Sequence, residues 1–181
     1  QIEIPLGITS IGAQAFAQCT ALEKITIPET VTSIELGAFS LCKSLTHIYL
    51  PQNLVTLGTG AFDGCVSLFT IAIPNKVKEI SSFTFSGCTS LLSVSLPRDL
   101  TTIGSYAFQN LKITTVTVPN SVTSIGEGAF NGCNSLVSIT LPFVGSSSSV
   151  SRYAPDASYY ADSQLFGYIF GSTTESYTSN G

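Results

Sequence analysis

Seven times along this chain an aliphatic residue precedes proline, at Ile4-Pro5, Ile27-Pro28, Leu50-Pro51, Ile73-Pro74, Leu96-Pro97, Val118-Pro119 and Leu141-Pro142. The prolines step by 23, 23, 23, 23, 22 and 23 residues. A fixed period of that length describes a stack of near-identical coils in which each coil contacts its neighbours, so fold and function are read per coil.

Aligned on this ruler, the coil from Pro28 to Leu50 follows the template Pro-x-x-Val-Thr-x-Ile-Gly-x-x-Ala-Phe-x-x-Cys-x-Ser-Leu-x-x-Ile-x-Ile. Its end alternates and is rich in β-branched residues, as in Ile25-Thr26-Ile27, Ile48-Tyr49-Leu50 and Ile71-Ala72-Ile73, which predicts a strand with one buried face. The predicted strands lie near 24–27, 47–50, 70–73, 93–96, 115–118 and 138–141. Proline then removes an amide donor and stops the ladder, as a corner requires. A second β-prone piece follows, such as Val31-Thr32-Ser33-Ile34.

Gly12, Gly58, Gly104 and Gly126 share one slot, but Glu35 and Ser81 fill it in the other coils, so a compulsory positive φ is not expected there. Phe16, Phe39, Phe62, Phe85, Phe108 and Phe130 also share a slot, and are predicted to stack as a buried ladder. An exposed aromatic binding strip is the competing reading, disfavoured by the small apolar Ala and Cys slots beside it. Between Phe and Cys there is room for no more than about a turn of helix. The fifth coil lacks one residue between Leu111 and Ile113, a deletion expected to shorten a loop and leave the core register on both sides intact.

Cys19, Cys42, Cys65 and Cys88 are each 23 residues apart, and Cys133 takes the same slot two coils later, with Leu111 between. A slot that accepts Cys or Leu is an apolar hole, and free Cys behaves as a small buried hydrophobe. Stacked coils bring these Cα atoms within disulfide range, but parallel side chains leave Cβ atoms about 4.8 Å apart, wider than a relaxed bridge needs. All five thiols are therefore expected to be reduced, buried and slow to react. A metal cluster is disfavoured by one histidine and no CxxC.

Charged residues make up 10% of the 181, the net charge is −4, and seven Lys plus Arg are scattered singly. That leaves no basic stripe for phosphate, so nucleic acid is not an expected partner. Apolar runs fall far short of the roughly 20 residues that span a bilayer, so membrane insertion is not expected either. A surface carried by Ser, Thr, Asn and Gln points to a secreted module, and the lack of Met to a piece of a longer protein.

The pattern Leu-x-x-Ile-Thr-Ile-Pro-x-x-Val-Thr-Ser-Ile-Gly-x-x-Ala-Phe-x-x-Cys-x-Ser, nearly whole from Leu22 to Ser44, resembles the BspA-like, or Treponema pallidum-type, leucine-rich repeats. The resemblance covers residues 1–142, about six repeats, and departs at Glu35, Ser81, Thr84 and Leu111. It implies a β-rich α/β solenoid, a right-handed superhelix of 23-residue repeats with a parallel β-sheet on the concave face. It also implies a secreted or cell-surface protein, extracellular in location and often acting in adhesion.

After Pro142 the ruler breaks, and residues 143–181 read as an irregular cap or a repeat-interrupting insertion, with a ligand loop as the alternative. Asp162 or Ser163 would cap a short helix ended by Gly171. Leu165, Phe166, Tyr168, Ile169 and Phe170 are the apolar cluster able to cover the open end of the stack.

No catalytic constellation emerges. His47 is the sole histidine, sits at an outward strand position and has no carboxylate in register, and the eleven acidic residues are dispersed. An enzyme is not expected, nor a cofactor; Asp156 and Asp162 are a weak calcium pair. The outward sheet face is the candidate site. Lys24, Thr26, His47, Tyr49 and Thr70 project from it, with Phe69 at its margin, and they make the N-terminal half the expected protein-binding surface, Tyr49 and Phe69 supplying rigid area. A spacer that positions another domain, or a carbohydrate-binding module with a groove of aromatics and acids, are the alternatives.

Overall fold

Residues 2–142 and 168–171 are described by a computed structural model. Thirteen short strands follow one another among them: β1 Ile2–Glu3, β2 Ser10–Ile11, β3 Lys24–Thr26, β4 Ser33–Ile34, β5 His47–Ile48, β6 Thr56–Leu57, β7 Thr70–Ala72, β8 Glu79–Ile80, β9 Ser93–Ser95, β10 Thr102–Ile103, β11 Thr115–Thr117, β12 Ser124–Ile125 and β13 Ser138–Thr140. Every pairing is parallel, and odd-numbered strands pair with odd, even with even. The chain is thus a β-solenoid of about six coils, with helix confined to Tyr168–Phe170 among the described residues.

Each coil has three hydrogen-bonded sides. The first is the predicted strand, whose central residue is buried and whose neighbours are exposed, as at β3 and β7. Proline ends it and starts a turn: the Pro28 carbonyl accepts from Val31 N–H, and Pro51, Pro74, Pro97 and Pro119 repeat the bond at 3.0–3.1 Å. The second side is the two-residue strand that ends in Ile or Leu, with Ile11, Ile34, Leu57, Ile80, Ile103 and Ile125 buried.

The third side surrounds Phe. Alternate amides there donate to the next coil, as in Gly37 to Thr59, Phe39 to Ala61 and Leu41 to Asp63 at 2.7–2.9 Å. Intervening amides close tight turns within the coil, such as Ala38 to Glu35 and Ser40 to Gly37. That alternation requires left-handed backbone at two slots per coil. One holds Gln14, Gly37, Gly60, Phe83, Tyr106 and Gly128; the other holds Gln18, Leu41, Gly64, Gly87, Asn110 and Gly132. Six of these twelve are not glycine, at roughly 1–2 kcal/mol of backbone cost each.

The glycine slot named from the repeat has a different cause. Gly58, Gly104 and Gly126 do not have positive φ, as expected. A Cβ on Gly104 would lie 2.4 Å from Ser82 N, and one on Gly126 2.4 Å from Ser105 N, so these glycines permit close approach to the preceding coil. At Gly12 nothing lies within 4 Å.

The phenylalanines stack as predicted. From Phe16 to Phe130 successive centroids are 5.3–5.8 Å apart, with ring planes within 15°. Centroids farther apart than the coil spacing mark an offset stack, the arrangement that ring quadrupoles favour. Phe39, Phe62, Phe85, Phe108 and Phe130 are fully buried. Phe16 and Cys19, expected to be buried, are half-buried, because the first coil's ring is covered on one side by Phe39.

All five cysteines are free thiols. Each buried one also has a hydrogen bond that the apolar slot did not suggest: the Sγ of Cys42, Cys65, Cys88 and Cys133 donates to the carbonyl of Phe16, Phe39, Phe62 and Phe108 at 3.1–3.2 Å. The same carbonyl accepts the cysteine amide of its own coil, as Phe39 does from Cys42 at 3.2 Å. Cysteine therefore suits the slot as a hydrophobe with one weak donor, and Leu111 leaves Phe85 with the amide alone.

The one-residue deletion acts on more than a loop. Phe108 keeps its place in the stack, and Leu111 and Ile113 are buried, so the core register survives. The sheet does not: β1, β3, β5, β7 and β9 form one five-stranded sheet, whereas β11 and β13 pair separately. Losing one residue just before β11 shifts it out of the amide phase that a ladder requires.

At the other end Ile169 is fully buried and Phe170 rests on Phe130 with centroids 6.3 Å apart and planes tilted by 41°. Gly128 and Phe130 N–H donate to the carbonyls of Tyr168 and Ile169, as earlier coils donate to their successors, and Gly171 has φ 70°. Asp156, Asp162, Ser163, Leu165 and Phe166, with the helix start and calcium pair expected on them, lie outside the described residues.

Two measurements check this packing. Gly104→Ala should cost about 1–3 kcal/mol in denaturant unfolding while Gly12→Ala stays within about 0.5 kcal/mol, because one Cβ meets backbone and the other meets space. Phe62→Ala should cost about 3–5 kcal/mol, with Phe16→Ala clearly less.

The thiols give a pH test. Burial pushes Cys42 up to about 11, with the neighbouring Cys19 thiol adding to it, and pushes Cys88 up to about 12, from an ordinary value near 9. Burial raises Cys65 and Cys133 too. The unfolded chain then ionises first, so this stabilisation is complete below pH 9 and is lost as pH rises toward 11–12. The denaturation midpoint should fall above pH 9, less steeply in Cys65→Ala. Half-exposed Cys19 should label quickly under native conditions, the other four upon unfolding.

Candidate functional site

Strand alternation decides which side chains leave the sheet, and the coil register decides which of them are neighbours. Lys24 stands opposite His47, His47 opposite Thr70, and Thr70 opposite Ser93, one outward column of the five-stranded sheet. Ile25 and Ile48 lie beneath Lys24 and His47 and anchor them in the core. Two residues on, Thr26, Tyr49, Ala72 and Ser95 make the parallel column, all exposed. Tyr49 is 86% exposed, a large amphipathic ring with no burial to explain it.

The margin carries a third column, Glu23, Thr46, Phe69 and Leu92. Backbone bonds hold it in line: Thr46 donates to Glu23, Phe69 to Thr46 and Leu92 to Phe69, at 3.1–3.3 Å. Phe69 is 50% exposed, and Leu92 beside it is exposed as well. The structure therefore places all six predicted residues on one face, with Tyr49 and Phe69 in adjacent coils. Val137, 86% exposed on the same margin, lies across the sheet break with the two-stranded part.

Around His47 the chemistry is modest. Its Nδ1 lies 3.0 Å from Thr46 Oγ1, and Lys24 and Thr70 are its register neighbours. The hydroxyl orients the ring, and among the described residues no carboxylate hydrogen-bonds to it. Among the described residues no three of His, Cys, Asp and Glu gather as metal ligands would. What the arrangement provides is a flat polar sheet with two aromatic projections and one cation, suited to surface contact.

One aromatic pair, an exposed Phe83 and a half-buried Tyr106, escaped the sequence reading. Phe83 and Tyr106 stack at 5.3 Å on the third side of the coil, both in left-handed backbone. The signal was present, because coil alignment puts them in register with Gly37, Gly60 and Gly128. They were missed because the neighbouring Ala-Phe slot dominated that side.

The geometry so far defines a leucine-rich-repeat solenoid. The chain matches the BspA type leucine rich repeat region in six copies, over residues 1–111 and 56–155, and it belongs to that family. It is similar to the crystal structure of a leucine rich cell surface protein from Faecalibacterium prausnitzii, at 35% identity and TM-score 0.68, covering 77% of this chain and 38% of that one. A leucine-rich repeat protein from Bacteroides ovatus matches at 35% identity and TM-score 0.56, over 78% of this chain and 33% of that one. The T. pallidum leucine rich repeat protein matches at 26% identity and TM-score 0.50, over 76% and 67%. The chain thus spans 38% and 33% of the first two. Comparison with curated proteins gives no match. No helix among the described residues is long and apolar enough to cross a membrane.

Because Tyr49 is solvated and its neighbours Thr26 and Ala72 are exposed, Tyr49→Ala should leave the unfolding midpoint unchanged to within about 0.5 kcal/mol. Ile48→Ala, one residue away but buried, should cost about 2–5 kcal/mol.

Proposed function

We propose that the chain is an interaction module of a secreted or surface-displayed protein, and that it binds another protein, on a host or neighbouring cell, through the N-terminal half of its sheet face. The supporting observation is the concentration of rigid exposed aromatic area on one continuous sheet: Tyr49 and Phe69 in adjacent coils, flanked by Lys24 and His47. Fixed aromatic side chains lose little conformational freedom on binding and make good anchors. The similarity to a protein described as a cell surface protein supports the location and, through it, adhesion.

The remainder of the chain has a structural part in this reading. Residues 143–181 terminate or interrupt the array of 1–142, with Ile169 and Phe170 covering the last coil. Phe170→Ala should then lower the stability of the whole stack rather than alter binding.

Binding to an adherent cell surface, measured by biolayer interferometry on partners recovered by proximity labelling, tests the surface. Tyr49→Ala should weaken association by about 2 kcal/mol, with a smaller effect from His47→Ala. Alanine at Ser93, Ser95, Thr115 or Thr117 should change it by less than about 0.5 kcal/mol. The reverse ranking, or a footprint centred on Tyr168, rejects this face.

A further inference from the structure

The left-handed slot on the third side of the coil carries Gln14, then Gly37 and Gly60, then Phe83 and Tyr106. Two consecutive glycines leave a notch between the Gln14 and Phe83 side chains, while the slot's third glycine, Gly128, lies beyond Tyr106 at the far end of the column. The notch is a surface groove of about 350 Å³ with Gly37 and Gly60 as its floor. Leu36 and Phe83 form its apolar walls, both exposed. Tyr106 backs one face of the Phe83 ring, stacked at 5.3 Å and within 14°, so the ring is held flat with its other face toward the notch.

The rest of the lining is polar and mostly neutral. Gln14, Gln18 and Thr59 present amide and hydroxyl groups, and Asp63 presents one carboxylate. Phe83 and Tyr106 take φ 57° and 55°, a conformation that costs a bulky residue and that Gly occupies freely in the same slot of the two preceding coils. Neither ring belongs to the hydrophobic core, so the pair presents aromatic area beside the notch that core packing does not use.

We propose that this groove is a saccharide subsite that seats one neutral sugar ring on the free face of Phe83. A pyranose offers an apolar C–H face to an aromatic ring and equatorial hydroxyls at its edge. Gln14, Gln18 and Thr59 can donate and accept towards those hydroxyls, and the Asp63 carboxylate accepts from a vicinal pair. Neutral amides and hydroxyls outnumber the single acid, which favours a sugar over a cationic side chain. A sugar stacked on Phe83 takes up about one coil spacing of ~4.8 Å, the space left above Gly60 in the neighbouring coil. The site lies on a different side of the solenoid from the sheet face and acts independently of it.

Amide-resolved NMR titration of the 181-residue protein with chitotriose, maltotriose and mannotriose tests the proposal. At least one should bind with a Kd on the order of 1 mM, as expected for a small open subsite. Shifts should centre on Gly37, Gly60, Asp63 and Phe83. Phe83→Gly relieves the backbone cost and should keep the fold while weakening binding at least about tenfold. Asp63→Asn should weaken it about three- to tenfold, and decides the matter if Phe83→Gly fails to fold. Tyr49→Ala should leave sugar binding unchanged, which separates this site from the protein-binding face.

Absence of shifts with all three sugars at about 20 mM, roughly twentyfold above that Kd, overturns the proposal. So does binding that survives both variants. Larger shifts of the same amides with acetyl-arginine-amide identify a cation site instead, and overturn it equally.

Discussion

The spacing of one coil over the next governs this molecule. Backbone hydrogen bonds on three sides of each coil hold the repeat near the interstrand distance, and every side-chain slot must be compatible with a copy of itself at that distance. Flat rings meet the condition by offset stacking, cysteine by donating to the carbonyl of the coil before, and glycine by leaving room for the neighbouring backbone. Two left-handed residues per coil are the cost of turning the third side into a ladder, and half of these positions bear it without glycine.

The same spacing explains why a single missing residue matters more to the surface than to the core. Side-chain packing of Phe108, Leu111 and Ile113 tolerates a shorter connection, because a buried slot is satisfied by volume. A parallel ladder is satisfied by phase, and the shorter coil divides the sheet between β9 and β11. The five-stranded part is therefore the longer continuous platform, and it carries Tyr49 and Phe69.

A solenoid with few charges and a core filled by repetition leaves its chemistry to the residues that depart from the repeat. On the sheet face these are Lys24, His47, Tyr49 and Phe69 among hydroxyl residues. On the third side they are Phe83 and Tyr106 among glycines and amides. Each departure sits where the repeat would accept something smaller or blander, which separates it from packing and makes it a candidate for recognition.

Much of this was legible in the chain alone. The proline interval and the alternating triplets placed the strands to within a residue or two, and the register listed Lys24, Thr26, His47, Tyr49, Phe69 and Thr70 as one face, because a period of 23 fixes direction as well as position. The Phe and Cys slots were legible for the same reason. Tertiary structure decided what depends on contact between coils: the thiol donation to Phe carbonyls, the close backbone approach at Gly58 and Gly104, the half-burial of Phe16 and Cys19, and the division of the sheet at coil five. It also decided which backbone slots are left-handed, since the third side's alternating amides follow from stacking rather than from local preference; the alignment put Phe83 and Tyr106 in the slot of Gly37 and Gly60, but only the stacked coils show that this slot opens into a groove. A period encodes what recurs along the chain, whereas a groove exists where two coils lack what the next two possess.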